Sequence, residues 1–239
     1  MPEVVLDIER LDSGVLRIRH AAEMAQVFFR LDPSANGPYA FDDLAGAAKK
    51  DRIDKSDVKA INTTMAARTP ERVWTPLFDQ ERPAWLAALD PDWHLFGLTD
   101  DAWVDLAVER RIADALGAMF GLGRRLSVVT KVLHMKRPEL IPVCDRLVLE
   151  QVGAPSGIDQ NPVRSADFIG YLRREGRRNL DGLRAIQEQL RADGFSRSQV
   201  RIFEALIWAS HPATRFPNVE PLIGKWLDVM DPVTEGNRQ

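Results

Sequence analysis

Residues 117–152 read GAMFGLGRRLSVVTKVLHMKRPELIPVCDRLVLEQV, and the rest of the chain is read outward from this stretch. A Gly-Leu-Gly turn, Gly121 to Gly123, comes first. Leu122, Leu126, Val129 and Leu133 then recur at steps of four, three and four. That spacing predicts a helix from about Arg124 to Met135, seated by one apolar stripe. Arg124, Ser127, Lys131 and His134 recur at steps of three, four and three on another face, which the helix is expected to display. Lys136-Arg137-Pro138 ends it, because proline disfavours helical φ/ψ at the residue before it. A Pro-bounded connector to Pro142-Val143-Cys144 delivers Asp145 to the cap position of the next apolar segment, Arg146–Val152.

Two accounts of the turn stand side by side. Gly121 and Gly123 can expose backbone N–H groups at the positive end of the helix dipole, where phosphates bind. A plain helix–helix corner uses the same glycines for positive φ. Charge sharpens the choice only in part. Residues 120–150 carry six Lys/Arg against three Asp/Glu, whereas residues 1–119 carry fourteen against twenty-one. A net charge of −3 gives no global case for nucleic acid. A local basic surface can still bind phosphates, although a solvated helix face is the simpler account of charge alone.

Outside this stretch the signals are helical. Residues 4–18 hold Asp12-Ser13-Gly14 between two partly apolar runs, which fits a hairpin or a loose lead-in. Ile18–Leu31 reads as a helix, stopped by breakers at 32–38, and Phe41–Lys50 as a short one. Ser56 and Thr69 read as N-caps, the second followed by Pro70 at the first helical position. Phe78, Trp85, Trp93 and Phe96, with Trp74 just before, offer either core or a base-stacking platform, and core is the commoner use. Thr99 caps a helix whose stripe is Val104, Val108, Ile112, Ala115 and Met119. Ser165, residues 180–192 and Ser196 or Ser198 mark further helices, with Gly176 as a break or cap. Pro221–Met230 reads as a last short helix. The class is all-α, with an N-terminal hairpin the one candidate sheet.

The totals bound the function. A chain of 239 residues, 45% hydrophobic and 28% charged, makes one large domain or two small lobes. The one cysteine, Cys144, forms no intrachain disulfide and reads as a small buried residue. No apolar run approaches the roughly 20 residues of a membrane helix, and MPEVVLDIERLD lacks the pattern of a signal peptide. A cytoplasmic location is expected. His20, His94, His134 and His211 show no metal-ligand spacing.

Residues 121–145 resemble the core motif of the helix–hairpin–helix DNA glycosylase superfamily: a Gly-x-Gly hairpin, a helix, a connector and Pro-Val-Asp. Lys131 with Lys136-Arg137-Pro138-x-Leu140-x-Pro142-x-x-Asp145 also resembles an uncharacterised family of small bacterial helical proteins, and Arg197–Trp208 is similar to the same family. The resemblance implies a two-lobed helical fold in a single domain over 1–239, with lobes 1–99 plus 160–239 around a 100–152 core. It implies a DNA partner and hydrolysis of the N-glycosidic bond of a modified, flipped base, with Asp145 as the catalytic carboxylate. Gly121, Gly123, Arg124, Arg125, Ser127, Lys131, His134, Lys136 and Arg137 would hold phosphate or DNA. No cofactor or metal is implied, and one cysteine excludes a four-cysteine iron–sulfur cluster. Pro-Val-Cys-Asp is one residue longer than Pro-Val-Asp, so Cys144 or Asp145 takes the aspartate's place. The lysine nucleophile of bifunctional members falls near Arg125, which points to a monofunctional enzyme. The alternative is a non-enzymatic helical module that binds nucleic acid or protein, with Asp145 only a cap.

Overall fold

A computed structural model describes residues 3–30, 38–48, 50–65 and 67–214. Pro221–Met230 lies outside the described residues. The hairpin forms: β1 (Leu6–Glu9) and β2 (Val15–Ile18) pair antiparallel, with Leu6 opposite Ile18. Leu6, Ile8 and Ile18 face the core, while Asp7 sits opposite Arg17 and accepts from its Nε at 2.7 Å. The free edge of β1 is covered by polar side chains from α10 (Pro162–Arg178) and the residue after it. Asn179 accepts the Asp7 N–H at 3.0 Å and donates to the Asp7 carbonyl at 2.8 Å. Glu175 accepts from the Glu9 N–H at 2.9 Å, and the Tyr171 hydroxyl donates to the Glu9 carbonyl at 2.6 Å. Side-chain cover of this kind prevents the exposed edge from pairing with another chain.

Everything else that is regular among the described residues is helical. The helices are α1 (Ala21–Arg30), α2 (Pro38–Ala47), α3 (Lys55–Thr64), α4 (Thr75–Phe78), α5 (Ala84–Ala87), α6 (Asp100–Asp105) and α7 (Val108–Phe120). They continue with α8 (Leu126–Lys136), α9 (Arg146–Gln151), α10, α11 (Leu180–Ala192) and α12 (Gln199–Ala209). None of the described helices is long and apolar enough to cross a membrane. Helix α8 lies in the middle, with α2, α3 and α7 packed on it, while α10 runs along α7. Helix α12 packs against α1, α9 and α11.

Several starts differ from the sequence reading. Asp54, not Ser56, caps α3: its Oδ1 accepts from the Ser56 N–H at 2.9 Å, and Asp57 answers from N3 as a capping box. Thr69 caps nothing and instead accepts from the Trp74 indole N–H at 2.9 Å. Asn161 caps α10, four residues before Ser165. The Val104–Met119 stripe is broken by Ala107 at φ 47°, so Val104 ends on α6 and is 72% exposed. Trp74 and Phe96 are buried and Phe78, Trp85 and Trp93 pack against the same core, so these aromatics form no open platform.

Gly176 neither breaks nor caps α10; it lies inside the helix under Phe96. A Cβ there would fall 2.2 Å from the Phe96 ring. Phe96 is itself fixed edge-on to Phe203, with centroids 5.5 Å apart. Gly→Ala in a helix interior ordinarily stabilises by about 1 kcal/mol. Here overpacking, about 1–3 kcal/mol, reverses the sign. Gly176→Ala is expected to lower the urea midpoint without changing the slope of the transition.

Candidate functional site

The site is built around the connector after α8. Leu140, Ile141, Pro142, Val143 and Cys144 are all buried, and the Cys144 N–H donates to Thr130 Oγ1 on α8 at 3.0 Å. Asp145 therefore emerges at a fixed place and caps α9. Its Oδ1 accepts from the Leu147 and Val148 N–H groups at 3.0 and 3.1 Å. Neither cap bond uses Oδ2. Burial pushes the Cys144 thiol well above its usual range, so it is an inert wall residue.

Asp145 belongs to the walls of two cavities. One is an open cleft of about 730 Å³ bordered by Arg125, Ser127, Arg146 and the 154–160 loop. The other is a smaller pocket of about 190 Å³ walled by Phe28, Met65, Lys131, Arg201, Glu204 and Trp208, among others. Of the residues singled out in the sequence, Asp145, Arg125 and Ser127 thus meet at the cleft, and Lys131 joins Asp145 at the pocket.

The others are not brought there. The Gly121 and Gly123 N–H groups are spent on the Gly117 and Phe120 carbonyls at 3.1 and 2.8 Å, closing the end of α7. They have no N–H left for a phosphate. Gly123, at φ 71°, makes the corner. Arg124 donates to Thr69 Oγ1 at 3.1 Å and so ties this turn to residue 69. The polar face of α8 is covered, not displayed. His134 is 2% exposed; its Nδ1 lies 2.7 Å from the Ile141 carbonyl, so Nδ1 carries the proton. Burial, reinforced by Arg201, pushes this imidazole down to about 3 and keeps it neutral. Lys136 is fully buried 2.6 Å from Asp57. Arg137 donates to the Leu86, Leu89, Lys50 and Lys136 carbonyls. These three side chains are buried and engaged as internal fasteners, away from the cleft.

Four charged side chains that the sequence reading did not single out form a cluster, and two of them, Arg201 and Glu204, line the pocket. Arg201 on α12 donates from Nε to Asp42 on α2 at 2.7 Å, and from Nη1 to Glu204. Arg197 Nε lies 3.3 Å from the other Asp42 oxygen. All four are buried. The one available signal was that Glu204 is the only charge in the run Ile202–Trp208. Burial pushes the Glu204 carboxyl up to about 8; Arg201 opposes this, and Asp145 and Asp42 reinforce it. Lys131 is lowered by burial, with Asp145 and Glu204 partly offsetting the fall.

Raising the Glu204 pKa in the folded state makes folding take up a proton between the ordinary carboxylate range and about 8. The native state then binds more protons than the unfolded one, so stability falls as pH rises across that window. Glu204→Gln keeps an acceptor for Arg201 without the proton. Its stability relative to the native protein is expected to climb from pH 5 to pH 8.5, by at most about 1.4 kcal/mol per pH unit. Paired urea unfolding curves at the two pH values read this directly; a constant difference would show that Glu204 stays ionised.

Residues 21–211 match the Family of unknown function (DUF6308). The chain belongs to that family. The DUF6308 match begins at α1 and ends just after α12, so it contains Asp145, both cavities and the Asp42–Arg197–Arg201–Glu204 cluster. It leaves the N-terminal hairpin outside. No curated protein and no solved structure matches the chain.

Proposed function

We propose that this DUF6308 protein hydrolyses the N-glycosidic bond of a modified base in DNA, as a two-lobed relative of the helix–hairpin–helix glycosylases. One observation carries the reading. Asp145 stands on a wall common to a large cleft and a smaller pocket, and that pocket also holds a carboxyl, Glu204, biased toward its neutral form. A carboxyl held toward its neutral form beside a second carboxyl is the equipment of acid–base bond cleavage. Water attacks C1′ of the sugar as the C1′–N bond breaks and its electron pair leaves with the base. Asp145 stabilises the positive charge that develops on the sugar and takes the proton that the attacking water gives up. Glu204 supplies the proton that the departing base needs. The α7–turn–α8 corner with Gly123 at positive φ supports the fold relation. DNA contact falls to Arg125, Ser127 and Arg146 at the cleft and not to the turn amides.

The test is incubation with duplexes bearing a panel of damaged bases, followed by alkaline cleavage, for the native protein and Asp145→Asn. Cleavage by the native protein alone is expected; equal cleavage by both removes Asp145 from the chemistry. A second reading, a non-enzymatic binding module, is favoured by the complete account of Asp145 as the cap of α9. In that case no duplex is cleaved. Binding that weakens steeply with salt would then mark DNA as the partner, because phosphate contacts release counterions.

A further inference from the structure

We propose that the smaller pocket recognises a planar nucleobase through a carbonyl-bearing edge, with Arg201 and Lys131 as the specificity-determining donors. This deepens the hydrolase reading and rests on it for the nucleobase as occupant. The observation that starts the argument is an unused donor. Arg201 is 3% exposed; its Nε and Nη1 are taken by Asp42 and Glu204, and its buried Nη2 has no hydrogen-bond partner among the described residues. A buried donor left unmade costs about 1–3 kcal/mol, so a ligand acceptor at this atom accounts for it. Lys131 donates to the Met65 carbonyl at 3.0 Å, which leaves two of its ammonium protons for the pocket it lines.

The remaining walls choose the ligand class. Asp42, which accepts from Arg201 Nε, and Asp145, which shares the pocket wall with Lys131, offset the two cations, which argues against a phosphate and for a neutral polar group. Phe28 and Trp208, centroids 5.9 Å apart and edge-to-face, supply apolar surface to which the π-face of any base can pack. A volume of about 190 Å³ is below the roughly 300–1,000 Å³ of pockets for drug-sized molecules and suits one ring system. An edge bearing C=O groups accepts from Arg201 and Lys131. An amino group in the same place sets donor against donor and leaves the protein donors unpaired.

Equilibrium dialysis of the full chain against free bases in matched pairs tests this: hypoxanthine against adenine, and uracil against cytosine. The oxo member of each pair is expected to bind at least about tenfold more tightly, the effect of one unpaired buried donor. Lys131→Met, checked for an unchanged thermal transition, is expected to weaken oxo-base binding and reduce the preference. Arg201→Lys, which keeps the charge beside Asp42 but shortens the reach, is expected to do the same. No base binding at millimolar concentration, or equal binding within each pair, overturns the proposal even if duplexes are cleaved. Oxo-selective binding with no cleavage of any duplex upholds the pocket and sinks the hydrolase reading.

Discussion

Lys136→Met is expected to destabilise the fold by about 3–5 kcal/mol, the usual result of removing one partner from a buried ion pair. The Lys136 side chain is fully buried and that of Asp57 is 2% exposed, 2.6 Å apart. Methionine fills the same space, so the loss is electrostatic. It strands a carboxylate that burial already pushes above its usual range and that Lys136 now holds down. Without the lysine, the folded-state pKa of Asp57 rises further. A raised folded pKa favours the protonated fold, so stability is retained at low pH and lost as pH rises through it. The deficit of the variant should therefore be smaller at pH 5 than at pH 8 in urea unfolding. Adding Asp57→Asn should recover most of it, since the amide oxygen can still accept the Asp54 N–H that Asp57 holds at 2.8 Å. Native-like stability of Lys136→Met at pH 8 would show that the pair contributes nothing. The neighbouring Arg137 has the same character. Its guanidinium reaches carbonyls at residues 50, 86, 89 and 136, so the Lys-Arg-Pro run fastens α8 to the segments around it.

This is why the sequence misleads at α8 while describing it well. The helix lies two residues from its expected start, and Leu126, Val129 and Leu133 are buried as their spacing requires. The spacing alone predicts that its second stripe is displayed, because the partners that cover it are distant in sequence. Asp57 and the Met65 carbonyl lie more than sixty residues upstream of Lys136 and Lys131. Periodicity reports that a polar stripe exists, not whether a later layer covers it. Caps follow a similar logic. Thr99, Asp145 and Ser198 bond to amides two or three residues on, and each stands where expected. Ser56 and Ser165 misdirect because Asp54 and Asn161 stand within a turn of them and the chain path decides between them. The pocket was half legible. Asp145 announces itself locally, but Arg201 takes its meaning from Asp42, 159 residues away.

Asp145→Asn is expected to leave the thermal transition nearly unchanged and to slow base release by about a hundredfold or more, the scale of a positioned acid–base group. The two halves of that result belong together. Asparagine caps a helix about as well as aspartate, whereas alanine costs about 1 kcal/mol. The Asn side-chain oxygen can take over both bonds that Asp145 Oδ1 now accepts, from the Leu147 and Val148 N–H groups at 3.0 and 3.1 Å. What disappears is the negative charge, and with it the second carboxylate oxygen, which neither cap bond uses. Asp145→Ala loses the cap and the charge together. If Asp145 were only a cap, Asn would keep native rates, and Ala would lose rate only where it lost folded protein. If it is the catalytic carboxylate, Asn and Ala lose rate equally while differing in stability. Single-turnover rates on a cleaved duplex, set beside thermal transitions for the three proteins, separate the cases.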